Sequence, residues 1–313
     1  MRYITDLREG DNVIEHYLCK QKQILKSRAG KSYLSLKLQD KTGIIDAKVW
    51  DLNDSIREFN EYDFIKIDGT VLIYQNEYQL NVRRIRQSLE GEYDPKDYIP
   101  STKKDIDELY KNLLNYIPTI KNPYIKKLIQ SFFIEDEDFI KKFKIHSAAK
   151  SIHHGYMGGL LEHTLSVVQI CDFFSNQYEG VCRDLLIATA MFHDIGKIHE
   201  LSQFPENDYT DGGQLIGHVI IGMEMVSRKI DKIEGFPPTL ANLIKHSLLA
   251  HHGELEYGSP KRPKTLEAFI LHCADNVDAK ITMLGEMFSS ASQEDIWLGY
   301  QRMFSRNLRK TEF

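Results

Sequence analysis

The first ninety residues alternate apolar and polar side chains with a period of two, and the rest of the chain turns to a helical period. The segments VIEHYLCKQKQIL (13–25), YLSLKLQD (33–40), IIDAKVW (44–50), FIKIDGTVLIY (64–74) and YQLNVRRIR (78–86) predict five strands. KTG and QNE mark turns between them, and LNDSIREFN (52–60) predicts a short helix. LEGEYDPKDYIPST then carries Gly91, Pro95 and Pro100 among charges and reads as a linker. Beyond it, KKDIDELYKNLLNYI sets Ile106, Leu109, Leu113 and Ile117 on one helical stripe, and helices are expected to the C-terminus. No internal repeat or low-complexity tract interrupts the pattern.

Composition adds bounds. A chain of 313 residues with 42% hydrophobic and 27% charged side chains is expected to form two soluble domains with real cores. No apolar run approaches the roughly 18 residues that span a bilayer, so no membrane partner is expected. The charged start, MRYITDLREGDN, is unlike a signal peptide, and a cytoplasmic location is expected. Cys19, Cys171, Cys182 and Cys273 are scattered and read as reduced thiols. The net charge of −5 excludes a uniformly basic coat protein. Residues 1–90 nevertheless come to +1, with six basic and no acidic residues from Lys20 to Lys37. A basic face on a nearly neutral module follows.

Five strands in this order resemble an OB-fold, a small barrel that often binds single-stranded nucleic acid. That resemblance makes Lys20, Lys22, Lys37, Lys48 and Arg83 candidate phosphate contacts, with Tyr33, Trp50, Tyr74 and Tyr78 as stacking platforms. The plainer alternative is that the aromatics fill the barrel and the lysines are solvated.

Candidate chemistry sits in the helical part. Eleven of the 12 histidines lie between His146 and His272. In LLIATAMFHDIGKIHEL an apolar helix delivers His193 and Asp194 side by side. A carboxylate can bridge two metal ions while the adjacent imidazole binds one. Lys197, three residues on, shares that side and can reach a phosphate oxygen. His163, His218, His251, His252 and Asp275 each lie in or beside an apolar helical stretch, where a buried charge or imidazole needs a partner. A hydrogen-bonded core histidine is the bland reading for any one of them.

The series His163, His193-Asp194, His218, His251-His252 and Asp275 resembles the HD-domain superfamily of metal-dependent phosphohydrolases, and HDIGK is among its most specific strings. The resemblance implies a two-ion site, with His163, His193 and Asp275 on one ion, His218 and His251 on the other, and Asp194 bridging. His252 is implied as a substrate contact. Placed after an OB-fold, and with HHGYMGGLLEHT before the first ligand, the whole resembles the YhaM-type 3′→5′ exoribonucleases. The implied organisation is α+β. An OB-fold nucleic-acid-binding domain spans 1–90, a linker 91–103 and a helical HD domain 104–313, whose metal-site core is about 155–285. The implied activity is metal-dependent hydrolysis at the 3′ end of single-stranded RNA, with single-stranded DNA as a second partner. Asp194 and Lys197 carry the catalysis. The cofactor is a pair of divalent ions, Mn²⁺ first and Fe²⁺ or Mg²⁺ as alternatives. His153, His154 and Tyr156 are expected at the terminal nucleotide. Two rival readings remain open here: an HD-type nucleotide or cyclic-dinucleotide phosphohydrolase, and a non-catalytic nucleic-acid-binding regulator. Apolar residues from Ile296 to Phe304 are expected to make a homo-oligomer contact.

Overall fold

The computed structural model describes residues 2–27, 29–150, 154–292 and 295–311. The chain divides into two compact units, one of residues 1–103 with 202–208, the other of 104–201 with 209–313.

The first unit is a closed five-stranded barrel in the order β1-β2-β3-β5-β4. Its strands are β1 (Asn12–Lys26), β2 (Ser32–Asp40), β3 (Gly43–Val49), β4 (Phe64–Tyr74) and β5 (Glu77–Gln87). The alternation seen in the sequence is the alternation of burial. Leu34, Leu36 and Leu38 point inward from β2, and Ile45, Ala47 and Val49 from β3, to join Val13, Tyr17, Ile65, Ile67, Leu80 and Val82 in one core. Gln75 and Asn76, both at positive φ, make the tight β4–β5 turn. Closure comes from the parallel pairing of Asp46–Lys48 with Gln79–Asn81. The β4–β5 register shifts at Gly69, where a Cβ would lie 2.7 Å from the Asn81 carbonyl.

The helix expected over 52–60 does not form. Asn53 Oδ1 accepts from Ser55 N, and Arg57 N and the Ser55 carbonyl bond the backbone of Ile85 on β5. Local Asn and Ser hydrogen bonds and a ladder to β5 outcompete a helix only nine residues long. Residues 91–103 lie in the same unit as the barrel. There Tyr98 is buried against Phe64 and Tyr93, and its carbonyl accepts from Gln39 Nε2.

The second unit carries ten helices among the described residues: α1 (Ile106–Leu114), α2 (Pro123–Phe133), α3 (Glu137–Ile145), α4 (Gly159–Gln177), α5 (Arg183–Phe192), α6 (Lys197–Glu200), α7 (Asp211–Ile216), α8 (His218–Ile230), α9 (Pro238–Ala250) and α10 (Leu266–Ser290). Asp105, Asn122, Asp136 and Thr265 cap α1, α2, α3 and α10 through side-chain oxygens. Helix α5 is apolar all round, and every residue from Leu185 to Phe192 is buried, as a central helix must be. It packs against α4, α9 and α10.

Helices do not continue to the C-terminus. After α10 a hairpin forms from β6 (Trp297–Gln301) and β7 (Arg306–Arg309). Ser305 at positive φ turns the chain between them, and the aromatic Trp297 and Tyr300 suit a strand. Trp297, Tyr300 and Met303 are exposed on this hairpin. No helix among the described residues is long and apolar enough to cross a membrane.

Candidate metal centre

Helix α5 ends at Phe192, and the next two residues, His193 and Asp194, close its buried end. The chain then turns through Gly196 into α6. A Cβ on Gly196 would lie 2.0 Å from the His218 carbonyl and 2.7 Å from Gly222 N, so only glycine lets α6 start against α8. His163 lies within α4, His218 opens α8, His251 and His252 follow α9, and Asp275 lies on α10.

These helices aim four imidazoles at one carboxylate. The Nε2 atoms of His163 and His193 lie 3.5 Å from Asp194 Oδ2. Those of His218 and His251 lie 3.4 and 3.7 Å from Oδ1. Asp275 Oδ1 is 3.2 Å from His163 Nε2 and 4.0 Å from His193 Nε2. Two donor triads result, His163–His193–Asp275 and His218–His251–His252, each with its donor atoms within 4.8 Å of one another. Asp194 lies between them, one oxygen toward each. Lys197 Nζ sits 2.8 Å from Asp194 Oδ2.

The far side of each ring fixes its tautomer. Nδ1 of His163 donates to Asp278 (2.6 Å), Nδ1 of His193 to the Ala190 carbonyl (2.8 Å), Nδ1 of His218 to Glu200 (2.8 Å) and Nδ1 of His251 to the Leu248 carbonyl (2.7 Å). Carboxylate and carbonyl oxygens only accept, so each Nδ1 holds a proton, and wherever a ring is neutral its lone pair lies on Nε2. His163 and His193 then face one another with Nε2 atoms 3.1 Å apart. Two lone pairs at that separation would repel, so either a proton on His163 Nε2 or a metal cation must lie against them. His251 Nε2 is buried with no hydrogen-bond partner among the described residues. The nitrogen and carboxylate donors suit divalent transition ions.

Two residues that the sequence reading missed complete the centre. Asp278 holds His163, His154 and Ser166 Oγ. Glu200 receives both the backbone N–H and Nδ1 of His218. Carboxylates behind ligand histidines fix ring orientation and raise basicity. Asp278 is one helical turn beyond Asp275, and that spacing was the available signal.

Electrostatics agrees with a site built for cations. Burial alone would raise the pKa of Asp194, but Lys197 and the surrounding histidines hold it well below the usual carboxylate range. Burial pushes His193 and His251 down, toward neutral rings. Burial also disfavours charge on His163, but hydrogen bonds to Asp275 and Asp278 outweigh it and push its pKa up to about 9. A proton on His163 therefore competes with a cation below that pH, and uptake must expel it. Metal affinity is expected to rise with pH toward about 9, checked by calorimetry in buffers of different ionisation enthalpy. Asp278→Asn is expected to lower metal affinity roughly 10–100-fold, with the fold preserved by circular dichroism. Unchanged affinity would remove Asp278 from this role.

The other sequence candidates fall into three places. His153 lies outside the described residues. His154 is buried behind His163, its ring between Asp278 and the Tyr156 hydroxyl, which donates to Glu162. The glycine pair serves this packing: Gly158 caps α4 at positive φ, and a Cβ on Gly159 would lie 2.0 Å from the His154 carbonyl. His252 Nε2 is 3.3 Å from His218 Nε2. On the barrel, Tyr33 stacks on Trp50 with centroids 4.6 Å apart, and Lys48 bonds Ser35. These four and exposed Lys37 share the outer face of β2 and β3, because the inward positions alternate with them. Lys22 lies apart, over the Phe59 ring. Lys20 bonds the carbonyls of Pro205 and Glu206, and Arg83 pairs with Asp68. Tyr74 and Tyr78 are exposed on β4 and β5.

Comparison with known proteins assigns both parts. Residues 160–280 match the HD domain. Residues 20–87 match the OB-fold nucleic acid binding domain. Among solved structures, the second OB-fold domain of replication protein A from Methanococcus maripaludis is 22% identical, covering 28% of this chain and 96% of that one, with a TM-score of 0.23. A replication protein A heterotrimer bound to single-stranded DNA is 17% identical, covering 28% and 64%, with a TM-score of 0.22. The chain thus carries an HD domain, the domain of metal-dependent phosphohydrolases, after an OB-fold barrel. That pairing supports a metal-dependent hydrolase of nucleic acid.

Proposed function

We propose that the protein is a 3′→5′ exoribonuclease acting on single-stranded RNA, with single-stranded DNA as a secondary substrate. The observation that carries the reading is the convergence of four oriented imidazole Nε2 atoms on Asp194, in a chain that also holds an OB-fold. His163, His193 and Asp275 would hold one divalent ion, His218 and His251 a second, with Asp194 shared; Mn²⁺ is the ion proposed. When bound, such ions supply Lewis-acid activation of water and neutralise charge on the phosphate.

The chain's own residues do the rest. Asp278 and Glu200 keep a proton on Nδ1 of His163 and His218, so that the lone pair of the neutral ring lies on Nε2. Lys197 is held at the centre by Asp194, and its ammonium is placed to meet a phosphate oxygen as negative charge develops there. The Tyr33–Trp50 stack with Lys37 and Lys48 offers a base platform beside phosphate contacts for the upstream strand. The exposed Trp297, Tyr300 and Met303 of the hairpin are proposed as a contact between copies of the chain, to be read by light scattering.

The test is a substrate panel. Metal-replete protein is offered short single-stranded RNA, nucleoside triphosphates and cyclic dinucleotides under Mn²⁺. RNA is expected to be the preferred substrate by kcat/KM. Preference for either small nucleotide would replace this reading with a nucleotide phosphohydrolase. Tight strand binding without turnover of any substrate would replace it with a binding regulator.

A further inference from the structure

We infer that the loop from Gly253 to Lys264 holds the nucleobase and flanking phosphates of the strand whose phosphodiester sits at Asp194. The inference rests on the hydrolase reading above and names the part of the second unit that grips the substrate.

The loop follows directly on His251 and His252. Its first part is a single 3-10 turn, Leu255–Tyr257, in which no residue is buried; Leu255 is 56% and Tyr257 67% exposed. An exposed tyrosine beside an exposed leucine is not explained by looseness, because the loop is braced at both ends. A Cβ on Gly253 would lie 2.2 Å from the His272 ring, so the loop starts pinned to α10. Ser259 is buried, with Oγ 3.2 Å from the Leu249 carbonyl and 2.7 Å from that of Lys261. Lys261 N donates to the Leu249 carbonyl, and Lys264 N donates to His246 Nε2. The backbone therefore fixes Tyr257 outward instead of leaving it to collapse onto apolar surface.

The loop also carries cations. Lys261, Arg262 and Lys264 are exposed. Arg262 pairs with Glu254 at 2.8 Å, while Lys261 and Lys264 have no ion-pair partner among the described residues. One exposed aromatic, followed four and seven residues on by lysines without ion-pair partners that outnumber the neighbouring Glu256, is chemistry that can stack a base and track a phosphate backbone. Position completes the argument. Tyr257 is five residues beyond His252, and with a 3-10 turn between them the separation is within roughly 15 Å. A nucleotide whose phosphate lies among the histidines has its base within reach of that ring. A phosphate ester without a base would leave Tyr257 unused.

The experiment uses the full chain and a short single-stranded RNA ending in 2-aminopurine at its 3′ end. With metal chelated to prevent turnover, binding is expected to quench the 2-aminopurine in wild type and in Tyr257→Phe, but much less in Tyr257→Ala. With Mn²⁺ restored, Tyr257→Ala is expected to raise KM roughly tenfold with kcat and metal content little changed. A 3′-terminal abasic RNA should lose this difference between the two proteins. Lys261→Ala with Lys264→Ala is expected to reduce the salt slope of binding by about 1 per lysine. Equal quenching and equal KM in Tyr257→Ala and wild type, with wild type cleaving RNA, would overturn the loop assignment alone. Metal-replete wild type that leaves RNA uncut would overturn the hydrolase reading and the loop with it.

Discussion

Asp194→Ala is expected to lose RNA hydrolysis by at least ~10³-fold while single-stranded RNA binding stays within about twofold. Asp194 faces both donor triads, with two histidine Nε2 atoms at each oxygen. Removing it strips both proposed ion sites of an anionic donor and leaves the Lys197 ammonium without its partner. RNA binding is assigned mainly to the barrel face and the 253–264 loop, which the substitution does not touch. Asp194→Asn keeps the shape and one oxygen, and it controls for folding when both variants are melted beside wild type. Near wild-type turnover in either folded variant would remove Asp194 from the reaction.

Gly196→Ala is expected to be strongly destabilising. The new Cβ would meet backbone, the His218 carbonyl at 2.0 Å and Gly222 N at 2.7 Å, and backbone cannot rotate away as a side chain can. Forced separation of α6 from α8 should cost about 3 kcal/mol, or roughly 10 °C of melting temperature for a unit of this size. It would also move Asp194 and Lys197 relative to His218, so metal affinity should fall with stability. Gly285→Ala is the control: beyond its own helical turn, no atom of the described residues lies within 4 Å of its Cβ, and α10 gains a better helix former there. An equal effect of the two substitutions would show that the α6–α8 crossing is not tight.

The strands were legible because barrel closure leaves one face of each strand dry, which writes period two into the sequence. Leu34, Leu36 and Leu38 are the plainest case. The candidate ligands were legible for a related reason: an imidazole or carboxylate inside an otherwise apolar helix, as in LLIATAMFHD, has to be answered by something in three dimensions. What was not legible is tertiary. LNDSIREFN has helix-compatible local composition, and only the approach of Ile85 on β5 turns it into a ladder segment. The C-terminal hairpin depends on a turn at Ser305 that carries no strong signal. Asp278 and Glu200 looked like ordinary helical acids until the folded chain set them behind His163 and His218. Ring tautomers are set by such partners and cannot be read from spacing at all.

The most direct measurement is product mapping on a 5′-labelled single-stranded RNA, with metal-replete and chelated full-length protein side by side. The account predicts a ladder of successively shorter 5′-labelled fragments that appears only with the divalent metal, and the same RNA with a blocked 3′ end should resist. Internal cuts from the earliest time point, or a ladder that persists after chelation, would contradict it.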